Sequence, residues 1–307
     1  MKYPILVFTV LFVLGTMNGQ DSIKKVGQDS DQDDSFFNRI TLRKSFQSKN
    51  DKAEPAVVTY SNAENKEESW ILNAAVGVSI LNNIEEGLTL SPYLEYHRNT
   101  LVDKEQDNFQ TGLATEWQLR DMSRKKWTPI LIASLKYNED NTKDISSFQG
   151  NYYFTPLFKG KAKNPEFFYI PNNISDFGKL FQFVYSPYLG LENENRFSTE
   201  MITDEGDIYR TYFRITANFS LFPGLKKLEK KFEFSIDWQY RYNIEENVEG
   251  LDKSDHNYFS ASFNYILFTA QEGKRSAKVG VDYVNGDDPS RNFEEQSFFA
   301  VSLKINL

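Results

Sequence analysis

The chain of 307 residues contains no cysteine. That excludes a disulfide scaffold, a lipid anchor on an N-terminal cysteine, thiolate metal sites and cysteine nucleophiles. Histidine is scarce as well, with only His97 and His256. Basic excess is missing: the formal net charge is -8, which argues against a nucleic-acid partner. Long apolar runs are also missing after the N-terminus. The one at Pro4 to Leu14, preceded by Lys2 and followed by "GTMNGQDS", falls short of the roughly 20 residues of a membrane-spanning helix. It reads instead as a secretory signal peptide over residues 1–19. No P-loop, dinucleotide fingerprint or H-E-x-x-H occurs, and the sequence points to no cofactor and no metal site.

Aromatics are abundant, with 26 Phe, 17 Tyr and 4 Trp, and they fall in a pattern. In "FEFSIDWQYRY", Phe232, Phe234, Ile236, Trp238, Tyr240 and Tyr242 alternate with Glu233, Ser235, Asp237, Gln239 and Arg241. Successive side chains of a strand point to opposite faces, so this segment has one apolar and one polar face. The same alternation runs through "WILNAAVGVSI", "LTLSPYLEYH", "FQTGLATEWQL" and later segments down to "FFAVSLKINL". Many of these runs exceed ordinary globular strands, as tilted membrane strands do. A polar, acidic stretch over 20–53 precedes them and reads as a flexible leader, with "FFNRITLRKSF" as a short ordered piece. The strand region is expected from Glu54 to Leu307, with "AVVTYS" as its first strand.

Connections read backward from the C-terminus alternate between long ("VNGDDPSRNFEEQ") and short ("TAQEGKRS"), apart from the long "KGKAKNPEFFYIPNNISDFGK". Long external loops and short periplasmic turns are the habit of outer-membrane barrels. Trp70, Tyr96, Trp117, Trp127, Tyr240, Tyr242 and Tyr283 near strand ends would form interfacial girdles. The expected fold is all-β: a transmembrane, antiparallel, up-and-down barrel of about twelve strands. Phe299, Val301, Leu303, Ile305 and Leu307 alternate to the last residue. This resembles the terminal strand that bacterial outer-membrane proteins present to their assembly machinery. On these features the chain resembles porin-like outer-membrane β-barrel proteins of Gram-negative bacteria. The resemblance implies an outer-membrane location, contact with outer-membrane lipid, and the barrel-assembly machinery as a partner.

Strand parity then assigns the lumen wall: Glu95, Glu116, Lys136, Glu192, Arg210, Arg214, Glu233, Asp237, Arg241, Lys278, Asp282 and Lys304. Charges of both signs on a confined wall suit a narrow, water-filled channel for small polar solutes. The same residues would also suit a salt-bridged, occluded interior, with the leader or "FFYIPNNISDFGK" filling the bore and function residing in the external loops. A third reading is an outer-membrane hydrolase using His97, or His256 beside Asp252 and Asp255. The His-x-Ser pair of outer-membrane phospholipases is absent, so no enzyme activity is expected. The acidic loops "DEGD" and "VNGDDPS" lack EF-hand spacing and are explained by turn chemistry. If the aromatic face looked inward, the chain would be a secreted soluble barrel or sandwich.

Overall fold

The computed structural model describes residues 39–47, 54–61, 68–83, 87–100, 105–119, 125–158, 170–198, 204–229, 231–249, 254–270, 275–289 and 293–306. The stretch expected to be a signal peptide and most of the expected leader lie outside them. The strands are β1 (Ile40–Arg43), β2 (Ala56–Ser61), β3 (Ser69–Val78), β4 (Leu81–Asn83), β5 (Leu88–Asn99), β6 (Gln106–Gln118), β7 (Trp127–Asp140) and β8 (Ile145–Phe158). They continue with β9 (Ser175–Asp176), β10 (Phe181–Ser198), β11 (Gly206–Leu221), β12 (Phe232–Glu246), β13 (Asp255–Ala270), β14 (Arg275–Asp288) and β15 (Glu294–Asn306). Each pairs antiparallel with its neighbour, and β15 pairs with β2 to close the wall into a barrel of twelve strands with three short extra ones. Closure satisfies the backbone N–H and C=O groups within the wall, which a hydrocarbon environment requires.

The faces are inverted relative to a water-soluble barrel. Outward positions carry large apolar side chains left exposed, among them Leu135 at 58%, Leu189 at 60% and Phe299 at 76%. Inward positions carry buried Glu95, Lys136, Arg210, Arg214, Asp237 and Arg241. Removing apolar area from water is worth roughly 25 cal/mol per Å², so this exterior is stable only against lipid. Tyr240 and Tyr242 of the alternating segment face outward, while Asp237, Gln239 and Arg241 are buried inside.

Connection lengths differ from the sequence expectation. β7 and β8 are joined by four residues, 141–144, and polar stretches such as "ENENRFS" and "NIEE" continue the strands rather than forming loops. Backbone pairing does not stop where the apolar face stops, so the strands run on past the apolar band. The long 159–180 connection is described only from residue 170. There, β9 pairs with β10, and the Asn172 amide bonds to the Tyr185 carbonyl at 2.8 Å. Asn172 also donates to Thr155 Oγ1 at 2.8 Å and accepts from Ser186 Oγ at 2.6 Å. The β8–β10 pairing ends at Phe154 and Leu189, so these residues tie the two strands together below that point.

The first wall strand is made of two pieces. β1 and β2 pair with the same edge of β3, Arg43 standing opposite Ala75 and Val57 opposite Asn73. The wall therefore begins at Ile40, ahead of Glu54, inside the stretch read as leader. Residues 44–47 and 54–55, between these two pieces, lie off the wall and inside the barrel.

Candidate functional site: the barrel interior

Residues 44–47 and 54–55 cross the interior, and their contacts explain why. Lys44 N donates to the Glu54 carbonyl at 2.7 Å, closing the neck of the excursion. Its ammonium pairs with the Glu54 carboxylate at 3.1 Å. The Phe46 amide donates to Glu95 Oε1 on β5 at 2.7 Å, and Ser45 Oγ to the same oxygen at 3.2 Å. The Phe46 ring stacks on Tyr93 at 4.7 Å and packs with Ala75 and Ala114. Gly77 supplies the seat, because a Cβ there would collide with the Phe46 ring. Arg43, fully buried, lies 4.6 Å over the same ring. On the far side, Glu54 pairs with Arg214 on β11.

Burial alone would raise the Glu54 carboxyl above its ordinary value of 4.5. The charges of Lys44 and Arg214 outweigh that and bring it down to about 2.

The structure places the twelve parity-assigned residues on the interior face of their strands and gathers most of them into pairs. Arg214 also bonds Asp237 at 2.8 Å. Arg241 pairs with Glu192 at 2.8 Å, and Glu192 accepts from Tyr153 at 2.5 Å. Arg210 pairs with Glu194 at 2.9 Å, and Arg196 with the same carboxylate at 2.8 Å. Lys278 pairs with Glu233 at 2.8 Å and Lys304 with Asp282 at 2.5 Å. Lys136 instead donates to Gln110 at 2.8 Å, and Glu95 serves the inward segment. Glu116, half-buried, adds negative charge near Arg43. Buried charges are retained in the interior because each acquires a partner or a hydrogen-bonding shell.

Sequence reasoning missed the aromatic part of the interior. Ile130, Ile132, Tyr153, Tyr188 and Tyr212 form a buried cluster on the β7–β11 side. In "WTPILIASL" and "NYYFTP" both parities are apolar, so alternation could not assign a face. Phe293, between β14 and β15, was also unmarked. With φ of 62° its ring stacks on His256 at 4.2 Å and sits 4.7 Å from the Arg210 guanidinium and 5.5 Å from that of Arg241. His97 bonds Asn73 at 2.8 Å and Glu95 at 3.3 Å. His256 lies 3.5 Å from Asp287; Asp255 is described and exposed, and Asp252 is outside the described residues. Among the described residues, no group of three or more His, Asp or Glu is placed to hold a metal ion.

Beside the inward segment runs a cavity of about 350 Å³. Its lining reaches from Ser276 and Asn306, near the rim where the chain ends, to Asn99 and Gln106 near the opposite rim. A smaller one, about 50 Å³, lies among Ser45, Glu95, His97, Lys136 and Arg214.

No protein-family model matches the sequence, and no curated protein matches it. Among solved structures, the chain is similar to an outer membrane channel from Pseudomonas putida F1, at 9% identity and a TM-score of 0.43, over 87% of this chain and 92% of that one. It is also similar to the transport unit of the autotransporter AIDA-I from Escherichia coli, at 14% identity and a TM-score of 0.40, over 91% of each chain.

Proposed function

We propose that the chain is an outer-membrane barrel through which small polar solutes pass along one side of the lumen, while the inward segment narrows the other. The observation that carries this reading is the cavity whose lining extends between the two rims. A polar path through an apolar-faced barrel lowers the cost of taking a hydrated solute across hydrocarbon. The cavity is small, so the conductance is expected to be low. Assembly into the membrane would use the alternating C-terminal strand β15, whose Phe299, Val301 and Leu303 are exposed outward. The role is non-enzymatic: His97 is held by Asn73 and Glu95, and His256 by stacking on Phe293.

The test is single-channel recording of detergent-refolded protein, with heat-modifiable gel migration as the criterion of folding. Small, steady currents support passage. A folded barrel that stays silent overturns it and leaves a second reading, an occluded barrel acting through its surface loops. The bond from Glu54 to Arg214 across the interior favours that alternative.

A further inference from the structure

The cavity is not placed at random within the barrel. Its wall is built from short polar side chains that line up across adjacent strands. Asn218, Ser235 and Ser262 stand opposite one another on β11, β12 and β13, and Thr216, Asp237 and Ser260 form the next row. On the β7–β11 side, Ile130, Ile132 and three tyrosines fill the equivalent space. The β11–β15 and β2 arc therefore remains open because its residues are small, and what it offers is hydroxyls and amides.

The charges in the cavity are already engaged. Lys278 is held by both oxygens of Glu233 at 2.9 and 2.8 Å. Lys304 is held by Asp282 at 2.5 Å and by Asn264 at 2.9 Å. Lys44 has Glu54 at 3.1 Å, and Asp237 has Arg214 at 2.8 Å. A charged solute would lose its own hydration and compete with one of these pairs. A neutral polyhydroxylated solute would not, since each hydroxyl both donates and accepts and can use the remaining lone pairs and protons of an intact pair. Thr216 lines this cavity, and its Oγ1, buried in the wall, has no hydrogen-bond partner among the described residues, so one polar group there can still take a partner if its side chain turns toward the cavity. Val284 and Phe298, opposite each other in register, add an apolar strip on which the C–H face of a sugar ring can lie. The volume of about 350 Å³ lies within the range of small-molecule sites.

We propose that the cavity bounded by Thr216, Ser235, Ser260, Ser262 and Phe298 binds a small, neutral, polyhydroxylated solute of the sugar or polyol class. This rests on the passage reading only for how the solute arrives. The experiment is saturation-transfer NMR, with calorimetry, on the detergent-folded barrel titrated with glucose and maltose and, as same-sized charged probes, glucuronate and glucosamine. Saturable binding of a neutral sugar is expected, with the charged probes weaker by about tenfold or more, the equivalent of one broken polar pairing. Thr216→Val, which removes the hydroxyl without changing the shape, is expected to weaken binding by about fivefold. Ser260→Phe fills the cavity and is expected to abolish it while heat-modifiable migration is retained. Should Ser260→Phe fail to fold, Thr216→Val alone decides. Absence of saturable binding by both neutral sugars, equal or tighter binding of a charged probe, or unchanged binding in Thr216→Val overturns the site. Conductance without sugar binding leaves passage standing and removes the site; sugar binding to a silent barrel does the reverse.

Discussion

Glu54 and Arg214 meet across the inside of the barrel, although they belong to parts of the wall separated by β15, β14, β13 and β12. Glu54 is presented not by a strand but by the end of the excursion between β1 and β2, and Arg214 shares its guanidinium with Asp237. One charged contact thus ties a departing segment of the first wall strand to the opposite side.

The register makes a deletion experiment unusually clean. Arg43 faces Ala75 and Val57 faces Asn73, so removing residues 44–55 would bring Ala56 opposite Ala74 with no slip. Twelve residues are removed, an even number, so the inward and outward faces of the strand are also kept. The deleted protein is expected to fold, to migrate heat-modifiably, and to conduct several-fold more than the parent in planar bilayers. Conductance equal to the parent's would show that the excursion does not restrict the lumen.

Much of the wall was legible in the sequence because a strand facing lipid on one side and polar lumen on the other must alternate. Residues such as Arg241 and Tyr242 declare their faces by chemistry alone. The excursion did not declare itself. "KSFQSKNDKAEP" has the composition of a linker, and nothing local says that Phe46 will find a seat at Gly77 or that Glu54 will find Arg214. Those partners lie far apart in sequence: pairing of β1 with β3 brings Phe46 to Gly77, and closure of the barrel brings Glu54 to Arg214. The inward Tyr153, Tyr188 and Tyr212 were hidden for a related reason: an aromatic is compatible with lipid and with a packed interior, so type without alternation is uninformative.

Phe46 anchors the excursion through packing rather than charge. Its ring is buried against Tyr93, Ala75 and Ala114. Phe46→Ala is expected to lower the unfolding free energy by about 3 kcal/mol, the low end of large aromatic truncations, since the lumen readmits water. Urea unfolding in lipid vesicles followed by tryptophan fluorescence measures it, and a change under about 0.5 kcal/mol would remove Phe46 as an anchor. Gly77→Val, which places a side chain where the ring now sits, should raise conductance in the same direction as the deletion.

The lipid-facing assignment has its own test. Leu135 is 58% exposed on the outer face, whereas its neighbour Ser134 is buried inside. Leu135→Arg is expected to cost about 2–4 kcal/mol of stability in vesicles, the value for arginine near the bilayer midplane. Ser134→Thr on the inner face should be nearly neutral. If Leu135→Arg were tolerated without loss, or if the folded protein remained monomeric without detergent, the outer face would not be meeting lipid.

Arg241 is expected to set charge selectivity if the lumen conducts. It pairs with Glu192 and lies 4.4 Å over the Tyr212 ring, below Phe293. Arg241→Glu places two carboxylates together and should shift the reversal potential in a salt gradient toward cations, with some loss of stability from the broken pair. An unchanged reversal potential would place the conducting path away from this cluster.

Acid should not release the excursion under ordinary conditions, and the sign follows from Glu54. Its carboxyl sits at about 2 in the folded barrel against an ordinary 4.5. A lowered folded value contributes stability that is fully present above about pH 4.5 and is lost as pH falls through about 2. Parent currents are therefore expected to keep the same amplitude from about pH 8 down to about pH 5, with opening confined to the strongly acidic range. Glu54→Gln removes the charge at every pH. It should conduct at neutral pH as the parent does only near pH 2, because in both cases Arg214 loses its hold on the segment that crosses the lumen. A parent that opens between pH 7 and pH 5 would assign the gate to a group other than Glu54.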